Sequence, residues 1–248
     1  MVLDADEVLQ EPAQLQSLLA AEEVEGYHLR IRNLQPKGSL TNYEDSHLLR
    51  LFRNREGYRY EGLIHEQISP SIGRANGKVE MADLLIVHHG YVSDKVQGSG
   101  SRRKRNLELL NAELKKNPDD FYYLFHMGLA FKVIDPKLSE EYFLQALEKG
   151  EEQMNDSLRE QSYMRLTQLT LQRHDNVQAI QYAKKSLEIN PMNLITRVCL
   201  VTAYVAVHGF AQAIPHLEII VAQKQRLPNP TDFVRLLQLC QQQLAHNR

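Results

Sequence analysis

Two cysteines, Cys199 and Cys240, are too few for a disulfide framework, and no CxxC pair is present to form a metal knuckle. Both fall in apolar helical patterns, which predicts buried free thiols. Net charge is also nearly absent. Twenty-nine basic side chains stand against 31 acidic ones, so no global basic field points to nucleic acid. No apolar run approaches the roughly 18 residues of a membrane span. The opening MVLDADEVLQEP has too short an apolar stretch and the wrong charge for a signal peptide, so the expected location is cytoplasmic. With 248 residues, 43% of them hydrophobic, the chain is long enough to bury a core without such staples.

The pattern changes near residue 100. Before it, Gly, Pro and Asn punctuate short runs. EPAQLQSLLAA (11–21) predicts a short helix with Pro12 in its first turn and Leu15, Leu18 and Leu19 on one face. LLRLFRN (48–54) alternates. GYRYEGLIHEQI (57–68) has the aromatic and branched composition of a strand or hairpin arm. Leu84 to Val87 is a buried-strand candidate, and the preceding Ala75-Asn76-Gly77 is a candidate hairpin turn. QGSGS (97–101) has linker composition. The helix after it carries Leu107, Leu110 and Leu114 on one face and stops at Asn117-Pro118.

From there the sequence reads as helical and repeats itself. Leu166 and Leu200, Thr170 and Tyr204, and Ala179 and Ala213 are each 34 residues apart. Ala179, Ala183 and Ser186 are small where two helices must cross, and Pro191 ends the pair. LFHMGLAF (124–131) and SEEYFLQALEKG (139–150) form an earlier pair whose register is off by one, with 151–156 as an insertion. A 34-residue helix–turn–helix period with small crossing residues is the tetratricopeptide signature. The reading is three repeats and a terminal helix, 231–246, that caps the stack. The tyrosines at 122, 123, 142 and 163 are assigned to repeat core and groove lining.

Several polar groups can carry chemistry. Asp4-Ala5-Asp6 follows two apolar residues, as at the end of a strand. Paired carboxylates there suit a hard divalent cation such as Mg²⁺ or Mn²⁺. His65-Glu66 lacks the second histidine of HExxH, because residue 69 is Ser, so a zincin is excluded. A solvated His-Glu pair is the plainer reading. His88-His89 closes the apolar run, and successive strand residues point to opposite faces, so at most one serves any given site. Arg50 and Arg53 are candidates for phosphate pairing or for a plain exposed face. Arg102 to Arg105 form a basic run without the aromatic interleaving of a nucleic-acid site.

Taken in order, DADEVL, R-L-F-R-N (50–54), Y-E-G-L-I-H-E-Q-I-S-P-S-I (60–72), I-V-H-H-G-Y (86–91) and K-R-N-L-E-L-L-N-A-E-L-K-K-N-P-D-D (104–120) resemble bacterial family 2 glycosyltransferases with a C-terminal tetratricopeptide tail. The resemblance runs over essentially the whole chain. It implies a partial GT-A fold over 1–96, a linker and connecting helix over 97–118, and an all-α repeat superhelix with a capping helix over 119–248. It also implies metal-assisted sugar transfer from a nucleotide-sugar donor, with Mn or Mg as cofactor. By match, Asp4 and Asp6 hold the metal on the donor diphosphate, His88 joins them as a metal ligand, and Glu66 is the base that deprotonates the acceptor. The chain departs from the family by lacking the nucleotide-binding half that precedes the D-x-D, so the expectation is a truncated form inactive on its own unless another polypeptide completes it. The alternative is a non-catalytic repeat module that binds a protein or peptide in its groove.

Overall fold

The computed structural model describes residues 1–62, 66–90, 99–150 and 152–246, with the side chains of 99–103 left aside. The chain divides into two compact units, Met1–Gly98 and Ser99–Arg248.

The first unit is built on a four-stranded sheet of order β1-β4-β2-β3, with β1 Glu7–Leu9, β2 Gly26–Leu34, β3 Tyr43–Phe52 and β4 Val79–His88. β2 pairs antiparallel with β3 and parallel with β4, while β1 runs antiparallel to β4. In β2, Tyr27, Leu29 and Ile31 alternate with His28, Arg30 and Arg32, so the apolar set falls on one face. That face is buried with Leu51, Leu84 and Ile86 and covered by Leu15 and Leu18 of α1 (Leu15–Ala20). The predicted short helix is therefore present, with Pro12 opening a 3₁₀ turn just before it. A second helix, α2 (Ser69–Arg74), seats Ile72 against Leu49, Phe52, Tyr58 and Val79.

Three expectations are corrected here. The described residues of 57–68, which are 57–62 and 66–68, form no strand. Gly57 and Gly62 adopt φ of 94° and 104°, which break any extended run, and the described pairing is a single bridge between Glu61 and Gln67. Ala75-Asn76-Gly77 links α2 to β4 and is not a hairpin turn, with Asn76 in the left-handed region. The strand beside Asp4 follows it as β1 and does not precede it.

The second unit is helical throughout: α3 Ser99–Lys116, α4 Phe121–Phe131, α5 Pro136–Lys149, α6 Asp156–Gln172, α7 Asn176–Ile189, α8 Leu194–Ala206, α9 Phe210–Ala222 and α10 Pro230–His246. The linker expected at 97–101 shrinks, because Ser99 to Ser101 already belong to α3. Each of five helices starts at an Asp or Asn whose side chain accepts from backbone N–H groups of the first turn: Asp120, Asp135, Asn155, Asp175 and Asn193. Such caps satisfy donors that a helix leaves orphaned. α4/α5, α6/α7 and α8/α9 are the three predicted pairs, and α10 packs Phe233, Leu236, Leu237 and Cys240 onto the last of them. Small residues sit where the pairs cross. Ala179, Ala183, Ser186 and Ala213 are fully buried, and a Cβ on Gly128 would lie 2.8 Å from the Phe143 ring. Tyr142 stacks on Phe131, and Tyr163 on Tyr182, as half-buried parts of this core. The helical unit is thus an array of tetratricopeptide-type helix pairs.

Candidate functional sites

The sheet register assembles the first site. β2–β4 pairing sets Asn33 beside His88, and β1–β4 pairing sets Glu7 beside the same His88. The turn before β1 brings Asp6 Oδ2 to 3.4 Å from His88 Nε2. On the other side of the ring, His88 Nδ1 lies 2.9 Å from Asn33 Oδ1. The next residues along the chain come close as well. His89 N donates to Asp6 O, and a Cβ on Gly90 would press into both Asp6 Oδ2 and His88 Nε2. Glycine avoids that crowding of the two side-chain ends.

The two carboxylates of D-x-D have separate surroundings. Asp4 Oδ2 accepts from Arg50 Nη2 at 2.8 Å, and Glu7 Oε1 accepts from the same atom at 2.7 Å. Asp4 N in turn donates to Glu7 Oε2. The Glu7 side chain is almost wholly buried, so Arg50 is its counter-charge. Burial opposes the Arg50 charge, but its hydrogen bonds to Asp4 and Glu7 and their charges outweigh this and raise its pKa. Arg50 is thus an internal partner of this cluster. Arg53 is spent on backbone carbonyls, donating to Val24, Leu19 and Ala21.

Of the residues singled out from sequence, Asp6 and His88 are brought together, Asp4 is adjacent but turned to Arg50, and Glu66 stands apart. Glu66 is exposed in the segment leading into α2, and no described contact joins it to Asp6 or His88. His65 and Tyr91 lie outside the described residues. Asn33 and Glu7 were not singled out. Asn33 comes beside His88 only through the register of β2 on β4, which no local motif announces. Among the described residues no group of three or more His, Cys, Asp or Glu is placed to hold a metal. A cation here would therefore rest on Asp6 and His88.

The second site is a surface of the helical array. The first helices of successive pairs touch directly: Met164 and Leu171 of α6 pack with Ile195 and Cys199 of α8. Lys132, at the end of α4, donates to Gln168 Oε1 at 3.2 Å, and Arg165 Nη1 donates to the same oxygen at 3.1 Å. One neutral acceptor thus serves two cations from adjacent repeats. Arg165 forms no salt bridge among the described residues, and its Nε is buried with no acceptor. Burial pushes the Cys199 thiol up to about 11, against the opposing charges of Lys132 and Arg165, so it is a protonated wall residue rather than a nucleophile.

No family model matches the chain. It is similar to a TPR repeat-containing protein of Synechococcus elongatus, 29% identical over 161 residues. The match covers 60% of this chain and 38% of that relative, so the chain spans about two-fifths of the relative's length. Among solved structures it is similar to MamA of AMB-1, at 20% identity and a TM-score of 0.49 over 59% of this chain and 76% of that one. It is also similar to YrrB, a TPR protein with an unusual peptide-binding site, at 16% identity and a TM-score of 0.49 over 57% and 69% of the two chains. No helix among the described residues is long and apolar enough to cross a membrane.

Proposed function

We propose that the helical unit is a protein-interaction module that takes a peptide or protein segment along the shared surface of α4, α6 and α8. The observation that carries this is the meeting of Lys132, Arg165 and Gln168. Three polar side chains from two repeats are held in register on a surface the array itself makes continuous. Arrays of stacked helix pairs offer such surfaces to extended or helical segments. The test is selection from a displayed random-peptide library on the full chain, followed by fluorescence anisotropy with the selected peptide. Arg165→Glu and Gln168→Ala are expected to weaken binding at least tenfold while leaving the helical melt unchanged. Binding unaffected by either variant contradicts the assignment.

A second reading is favoured by the closeness of Asp6 and His88. We infer a divalent-cation site there, in keeping with the resemblance to family 2 glycosyltransferases of the GT-A type. When bound, Mn²⁺ or Mg²⁺ would supply Lewis acidity to the diphosphate of a nucleotide-sugar donor. The chain's own part is to present Asp6 and His88, to neutralise Asp4 and Glu7 through Arg50, and to keep the space beside Gly90 open. Glu66, exposed on its loop, is the candidate base toward an acceptor. Thermal shift with Mn²⁺ and a panel of nucleotide sugars tests this. A rise for one donor that is lost in Asp6→Ala supports the reading, and no metal-dependent shift with any donor contradicts it.

A further inference from the structure

Arg165 decides what a segment lying on α4, α6 and α8 must carry. Its Nη1 donates to Gln168 Oε1 at 3.1 Å. Among the described residues its Nη2 has no acceptor, and its Nε is buried without one. Nε and Nη2 form one edge of the guanidinium, whose two parallel N–H groups match the two oxygens of a carboxylate. Two other arginines of this chain show that match. Arg32 Nε and Nη2 clasp the oxygens of Asp45, both at 2.9 Å, and Arg55 Nε and Nη2 clasp those of Glu25 at 3.1 and 3.0 Å. On Arg165 no carboxylate of the described residues takes that edge. The side chain as a whole is half-buried, so a small turn of it brings the edge to a ligand.

The surroundings supply no substitute. The arginines on either side in sequence are paired, Arg159 with Asp156 and Arg173 with Glu140 and Asp175. Glu160, the nearest carboxylate along α6, is buried and bound to Ser186 and Asn193. Lys132 Nζ donates to the same Gln168 oxygen from α4 and sets a second positive charge beside Arg165. The charges that act on the Cys199 thiol of α8 are those of Lys132 and Arg165, with no carboxylate among them. This surface is therefore electropositive beside an apolar floor of Met164, Ile195 and Cys199. A charge held in such a partly dry place attracts an opposite charge more strongly than one in open water.

We propose that the segment bound by α4, α6 and α8 carries an aspartate or glutamate side chain, which seats on the Nε–Nη2 edge of Arg165 with Lys132 alongside. The proposal rests on the reading of this surface as a peptide site and names the class of peptide it takes. Arg165 belongs to the middle helix of the three, so a bound chain continues on both sides of the carboxylate. The anchor is a side chain within the segment, not a C-terminal carboxylate.

The test uses the full chain and peptides recovered from the displayed random library, resynthesised with an acetylated N-terminus and an amidated C-terminus. The recovered peptides should share one acidic position. Changing it to the matching amide, Glu to Gln or Asp to Asn, should weaken binding about 10–100-fold in fluorescence anisotropy. A peptide with lysine at that position should bind Arg165→Glu more tightly than it binds the wild type, a reversal that misfolding of the variant cannot produce. Peptides that protect α4, α6 and α8 from hydrogen–deuterium exchange yet bind as tightly with the amide overturn the acidic anchor while the peptide site stands. So does binding that is lost on amidating the C-terminus. Failure of every recovered peptide to protect those helices overturns the peptide site itself, and the anchor with it.

Discussion

Gly128→Ala is the sharpest probe of how the array is packed. In a solvent-facing helix position this change raises stability by about 1 kcal/mol, because alanine loses less backbone freedom. At Gly128 the added Cβ would lie 2.8–2.9 Å from three atoms of the Phe143 ring. Carbon atoms rest about 3.5–4.0 Å apart, so α4 and α5 must separate or the ring must turn. Phe143 is fully buried and packs edge-on to Phe125, so turning the ring disturbs a second aromatic contact. Overpacking of this kind costs about 1–3 kcal/mol and outweighs the propensity gain, for a net loss of about 1 kcal/mol. Urea unfolding followed by helical circular dichroism measures it, with an unchanged denaturant slope as the control. Combining Gly128→Ala with Phe143→Leu should cost at least about 1 kcal/mol less than the two changes summed, because the shorter side chain relieves the contact. A variant Gly128→Ala more stable than wild type by about 1 kcal/mol would refute the close approach of α4 and α5.

Three further outcomes are expected. Glu160 is buried and accepts from Ser186 Oγ and Asn193 Nδ2, both at 2.7 Å, so it ties α6 to α7 and to the cap of α8. Glu160→Leu should cost about 2–3 kcal/mol in urea, by leaving two donors without their acceptor, and a loss under about 0.5 kcal/mol would contradict the tie. His216 Nδ1 accepts from Arg197 Nη1, and burial, then the charges of Arg197 and Lys184, lowers its pKa below the ordinary histidine value. The unfolded chain therefore binds this proton first as pH falls, so stability should drop from about pH 7 downward through the ordinary value near 6.5 and level off below the folded value. His216→Gln should flatten that slope in urea midpoints taken at pH 7.5 and 5.5; an equal slope in the variant would contradict the assignment. Cys199 and Cys240 are buried, and burial raises both thiols, so an aromatic disulfide reagent should label neither in native protein and both in denaturant. Fast native labelling of either thiol would contradict the packing.

The helical pairs were legible because their steric needs are written in residue size. Ala179 and Ala213 occupy equivalent crossings 34 residues apart, and the structure buries both completely. The insertion near 151–156 was legible from the break in that period. The sheet was harder to read. The β4 run Leu84 to Val87 stood out, but β2 went unremarked although Tyr27, Leu29 and Ile31 alternate with polar residues. The described part of the aromatic segment 57–68 departs from the strand its composition favours, with Gly57 and Gly62 at positive φ and an isolated bridge between Glu61 and Gln67. Within the candidate cation site, residue types alone do not distinguish Asp4 from Asp6. What separates them is Arg50, which arrives from a strand more than 40 residues away and takes Asp4 and Glu7 for itself. Asn33 was missed for the same reason: its approach to His88 follows from strand register, not from a motif.

The central claim is that the first helices of the repeats form the binding surface. Hydrogen–deuterium exchange of the full chain, with and without a peptide selected from the library, tests it directly. Protection concentrated in α4, α6 and α8, and lost in Arg165→Glu, is the predicted result. Protection confined to α5, α7 and α9, or to the sheet unit, would contradict it.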